Sequence, residues 1–181
     1  MTSVTYDQYR FYSFVAGLYL SPLQCGLQTA HAVSETYANL YEGDTANEHA
    51  FANWACHDKT IIICNAYNSA GVIEAHAKIK DYASKLGLPF SIFHEDEQSL
   101  NSAPTAAGVV VPRCFYAAQK VHREPRSFIS KITRGIFSST TDSKKPAPAY
   151  MYEDETGLMT DYAQGSPEAE FIKFLKSYKL V

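Results

Sequence analysis

Apolar and polar positions along this 181-residue chain fall into short runs that switch between strand-like and helix-like spacing. Phe11–Leu20 is aromatic and apolar, stopped by Ser21-Pro22, and predicts a buried strand. Ser21 has the chemistry of an N-cap, Pro22 that of the first helical position and Gln24 that of the third. Ser21 and Gln24 together form a capping-box pattern, each side chain answering a free backbone donor of the first turn. The helix is expected to run to about Tyr41 and to end at Gly43. A second, shorter helix is expected within Asp44–His57, around Ala50–Trp54.

Thr60–Asn65 is β-branched and largely apolar, hence a central strand. Across Ser69–Leu86, Val72, His76, Ile79, Ala83 and Leu86 recur at helical spacing, and Gly87 is a natural C-terminal stop. Pro89–His94 and Ala107–Val111 read as the third and fourth strands, with Glu95–Thr105 a polar loop between them. Ala117–Val121 reads as helical. Thr133–Pro148, rich in Ser, Thr, Lys and Pro, reads as a mobile loop. Ser166-Pro167 opens a last helix, with Glu168 and Glu170 near its positive end and Lys173, Lys176 and Lys179 near its negative end. Its packing stripe is Phe171, Phe174, Leu175 and Tyr178. This order is α/β, and a compact four-stranded mixed sheet flanked by helices fits it best.

Length and composition set limits. The chain suits a single domain over 1–181, with a long insertion at 113–165 before the last helix. Its apolar share of 46% is enough for a sizeable core. No run approaches the ~18 apolar residues of a membrane span, and the polar start Met1–Asp7 has no signal-peptide core. Cys25, Cys56, Cys64 and Cys114 show no C-x-x-C pair. They read as free thiols of a cytoplasmic protein, with neither metal nor cofactor implied.

The net charge of -3 hides a segregation: eight bases against two acids from Arg113 to Lys145, then six acids and no base from Pro146 to Glu170. Either a phosphate-binding patch sits beside an acidic loop, or the two segments neutralise each other within one insertion. Arg113, Lys120, Arg123, Arg126, Lys131 and Arg134 are interleaved with Phe115, Tyr116, Phe128 and Phe137. Such a mixture suits looped or single-stranded RNA, and suits equally a small satellite core.

Several residues around the first helix have two readings. Gln24 is a cap or a ligand contact. His31 is a core histidine or a site residue. Glu95, Asp96 and Glu97 are a solvated loop or hold a proton acceptor. His76 lies on an apolar stripe and reads as structural. Cys25, in the first helical turn, is either a small buried thiol or one of lowered pKa that mimics a cysteine hydrolase with His31 and Glu95.

The segment Pro22–Ala32 resembles the helix start of the type-2 peptidyl-tRNA hydrolases, a Lys-Gly-Lys-hydrophobic-Ala-Ala-Gln-x-x-His-Ala pattern, with Gln28, His31 and Ala32 in register. Trp54 ahead of the second strand, Gly87–Phe93, the apolar strand ending at Pro112 and the final helix match in kind. The similarity covers roughly Phe14–Pro112 and Pro167–Tyr178, and is closer to a divergent branch resembling bacterial and phage proteins. It implies the fold of that family and a site built from Gln28, His31, Glu95 or Asp96, Ser99 and Thr105. It also implies tRNA as partner and a capacity to pair as a homodimer.

The two lysines of the family motif fall at Pro22 and Gln24. Ester hydrolysis needs an oriented water, a proton acceptor and donors for the oxyanion. Losing one such donor costs ~10²–10³ in rate. Arg113 is the nearest substitute cation by sequence. Two functions follow: an altered peptidyl-tRNA hydrolase, with Gln24 and the basic segment contacting RNA, or a non-catalytic protein of the same fold that recognises a nucleotide, an RNA or a protein.

Overall fold

β1 (Tyr9–Val15) is the organising strand of the molecule. It pairs in parallel with β2 (Ile61–Asn65) and antiparallel with β4 (Pro104–Pro112), and β3 (Phe90–His94) pairs antiparallel with β4. The sheet order is therefore β2-β1-β4-β3, the expected four-stranded mixed sheet. The computed structural model describes residues 8–18, 20–41, 45–121 and 148–181. Among these, no helix is long and apolar enough to cross a membrane.

Strand alternation sends side chains to two helical layers. Phe11 and Val15 of β1, Ile63 of β2 and Ala106 and Val110 of β4 meet α1 (Pro22–Leu40), α2 (Thr45–Asn53) and Trp54. Phe14, Cys64, Val109 and Val111 meet α3 (Ser69–Leu86) and the final helix, Pro167–Ser177. β1 stops at Val15, five residues short of the expected Leu20, because Gly17 and Leu18 form a turn. The capping box forms as the sequence implies. Ser21 Oγ accepts from the Gln24 N–H, and Gln24 Oε1 accepts from the Ser21 N–H. α3 keeps its predicted bounds, and Gly87 closes it at φ 65°, a conformation glycine adopts without cost.

Three departures have physical causes. The helix expected through Trp54 widens into a π-helical turn, Trp54–Asp58; here the Trp54 indole donates to Thr60 O at 2.9 Å while Asp58 accepts from the Tyr9 N–H. The expected loop Glu95–Thr105 contains a short helix, α4 (Glu97–Leu100), and β4 begins at Pro104. The expected helix Ala117–Val121 lies earlier, as α5 (Arg113–Tyr116), followed by β5 (Gln119–Lys120).

β5 opens a second antiparallel sheet with β6 (Pro148–Glu153) and β7 (Met159–Ala163). Tyr150 and Tyr162 join Phe115 and Phe171 in the core beneath α3 and α6 (Pro167–Ser177). The outer edge of β2 is covered by the chain's last residues. Asn65 N–H donates to Lys179 O, Val181 N–H donates to Ile63 O, and Leu180 bridges to Cys64.

Candidate functional site

α1 lies on the sheet through an unusually polar seam. Its buried residues include Gln28, Thr29 and Thr36. Thr29 Oγ1 donates to Ser13 Oγ on β1. Thr36 Oγ1 and Ser91 Oγ of β3 lie 2.7 Å apart and both reach the Ala32 carbonyl. Buried hydroxyls need such partners, so the seam fixes how α1 sits on the strands. Its sequence signal is Thr29 and Thr36, seven residues apart on the face that carries Ala32 and Leu40. The sequence reading passed over it.

The seam ends in the candidate site. Gln28 Nε2 donates to Glu95 Oε1 at 2.5 Å, and Thr105 Oγ1 donates to Gln28 Oε1 at 2.8 Å. Gln28 and Glu95, which the resemblance implies for one site, are thus in direct contact. A β-bulge aims Thr105. Strict alternation would place its side chain with Ala107, towards α3. The register between β3 and β4 shifts at Phe93/His94, opposite Ala106 and Pro104, and this extra residue turns Thr105 towards α1. With both ends of the Gln28 amide engaged, its orientation is set: the N–H end must face the carboxylate.

His31 sits one turn further along α1, half-buried, its ring stacked on Phe93 at 4.4 Å and 11°. It flanks the site without bonding to the Gln28 pair. Asp96 is exposed at the entry to α4, its carbonyl accepting from the Leu100 and Ser102 N–H groups, and Ser99 lies on α4. The described hydrogen bonds thus unite Gln28, Glu95 and Thr105. Gln24 is exposed and engaged in the cap.

The basic residues are elsewhere. Arg113 follows Pro112, which pairs with Tyr9, whereas Thr105 lies beside Ala106, which pairs with Val15. The eight residue steps between them place Arg113 about 25 Å from the site along the strand, so it does not supply a cation there. Its guanidinium is paired with Glu155, 2.5 Å away. That contact joins one base of the 113–145 segment to one acid of the 146–170 segment. Lys120 is exposed on β5. Arg123, Arg126, Lys131 and Arg134, and residues 133–147 of the expected loop, lie outside the described residues.

The cysteine-hydrolase reading fails on geometry and protonation. Cys25 is buried with its thiol towards the Leu20 carbonyl, and burial raises its pKa, opposite to what a nucleophile needs. Burial likewise pushes the Cys64 thiol up to about 12. His76 packs beside Phe90, and burial, with Lys80 and His94 adding to it, lowers its pKa. Among the described residues, no group of three His, Cys, Asp or Glu side chains is placed to hold a metal ion.

Replacing Gln28 by leucine is expected to cost about 1–3 kcal/mol, because the buried Thr105 hydroxyl loses its acceptor. Adding Thr105→Val should recover part of that loss, since the two side chains are bonded. Urea denaturation of the single and double variants measures both values.

Compared with known proteins, the chain matches no family model and no curated protein sequence.

Proposed function

We propose that the chain is a binding protein with a type-2 peptidyl-tRNA hydrolase-like fold, whose helix-start site recognises a ligand without hydrolysing it. In this reading one domain spans the chain, 113–165 is an insertion carrying the second sheet, and the setting is cytoplasmic. The observation that carries it is the chemistry around Gln28. A proton acceptor and an oriented amide are present, but the family's two lysine positions hold Pro22 and the capping residue Gln24. No lysine or arginine occurs anywhere on α1 or in the β3–β4 connection. Among the described residues, an oxyanion forming beside Glu95 meets a carboxylate and no lysine or arginine of α1 or the β3–β4 connection, so the electrostatic part of ester hydrolysis is missing.

The test is turnover of N-acetyl-aminoacyl-tRNA by the purified protein. No rate above the uncatalysed one is expected. Turnover that disappears in Glu95→Gln overturns the proposal and restores the second reading, an altered peptidyl-tRNA hydrolase. That reading is favoured by one observation: Gln28, Glu95 and Thr105 meet as the family resemblance implies.

A further inference from the structure

Charge is divided between the two faces of the sheet. From Phe11 to Asp58, and again from Leu86 to Pro112, the sequence holds eight carboxylates and not one lysine or arginine. These stretches supply α1, α2, the π-helical turn and the β3–β4 connection, which together cover the Gln28 side of the sheet. The lysines of α3 and α6 lie on the opposite side.

The acidic side also exposes leucines. Leu23 is 85% exposed and Leu27 55%. They are four residues apart on α1, and the same row continues through His31 to Glu35. A row at this spacing is the ridge that a helix presents to a packing partner. His31 stacks on Phe93, and Glu95 bonds to Gln28, so the row runs alongside the candidate site. Leu100, five residues beyond Glu95 at the end of α4, is 51% exposed. Single exposed apolar side chains are ordinary, whereas two neighbours on one ridge, both more than half exposed, offer a contact surface.

We infer that this face of α1 docks a basic amphipathic helix of another protein, whose apolar side chains cover Leu23 and Leu27 while its lysines or arginines meet Glu35, Glu95 and Glu97. The inference rests on the binding reading above and names its partner class. Charge complementarity selects the occupant. On α1 and the β3–β4 connection a nucleic-acid backbone meets carboxylates and no lysine or arginine, and is repelled. A second copy offering the same face meets like charge as well. A cationic helix is drawn in, and the leucine ridge gives it an apolar seam.

The probe is a labelled synthetic peptide of leucine and lysine patterned as an amphipathic helix, titrated by fluorescence anisotropy beside the same peptide with glutamate for lysine. The lysine peptide should bind, more weakly as salt rises, and the glutamate peptide should not. Leu23→Ser with Leu27→Ser should weaken binding about tenfold or more, as truncating two central contacts does. Ile73→Ser with Glu74→Gln, on α3, should leave it unchanged. The inference is overturned if both peptides bind alike, or if the α3 variant loses as much as the α1 variant. It is also overturned if single-stranded RNA displaces the peptide and depends on Leu23 and Leu27 in the same way. Self-association that vanishes in the Leu23/Leu27 variant overturns it too, by assigning the face to a second copy. None of these arms reads ester turnover, so failure of the non-catalytic reading and failure of this surface are seen separately.

Discussion

Replacing Phe11 by alanine is expected to lower the unfolding free energy by about 3–5 kcal/mol, the range for emptying a buried phenylalanine site. Phe11 is among the largest fully buried side chains of the protein. Its ring packs on Trp54 with centroids 5.2 Å apart, and on the other side it occupies the space above Gly108 of β4, where any side chain would run into it. The ring thus ties the two central strands to the π-helical turn. Total stabilities of domains this size are about 5–15 kcal/mol, so the variant should have little margin left. Urea denaturation gives the value, and an unchanged m-value would show that the loss lies in the native state. Gly108→Ala should cost about 1–3 kcal/mol by overpacking. Because the two residues touch, Phe11→Leu with Gly108→Ala should cost less than the sum of its parts.

Gly71→Ala is expected to destabilise by about 3 kcal/mol, the upper end for overpacking. Gly71 sits in the first turn of α3, and a β-carbon there would overlap the Ala66 carbonyl oxygen. Neither side has room to give. The Gly71 N–H is held by the Asn68 cap, and Ala66 N–H donates to Val15 O at 2.8 Å. Relief would require shifting α3 away from the end of β2. Gly26→Ala is the matched control. Gly26 is exposed on α1 with nothing near its missing β-carbon, so alanine should stabilise by about 1 kcal/mol through helix propensity. Thermal unfolding of the two variants should therefore move in opposite directions.

The elements that were legible in the sequence are those whose signals are local. Ser21, Pro22 and Gln24 mark the start of α1 through their own backbone chemistry, and Asn68 and Gly87 bound α3 in the same way. The four strands of the main sheet stand out because buried strands need continuous apolar runs. The facing of Gln28 and Glu95 was also foreseen, through the resemblance. The second sheet was missed, although it has a local mark. Tyr150 and Tyr152 alternate along β6, and Asp154 Oδ1 accepts from Thr156 and Leu158 in a turn completed by Gly157 at φ 81°. The crowd of acids at Glu153–Glu155 masked that hairpin. The bulge that turns Thr105 towards Gln28 had no mark at all, because it arises from pairing between two strands. The hydroxyl seam under α1 was hidden for a related reason. Thr29 and Thr36 read as polar surface until Ser13 and Ser91 are placed opposite them.

The covering of β2 by Lys179–Val181 has a consequence for growth of the sheet. With those residues in place, one flank of the four-stranded sheet has its amide groups already engaged. Among the described residues no strand pairs with the outer side of β3, where the Phe90 carbonyl accepts from the Asn39 side chain. A strand joining the sheet beside β2 must therefore first displace Lys179–Val181.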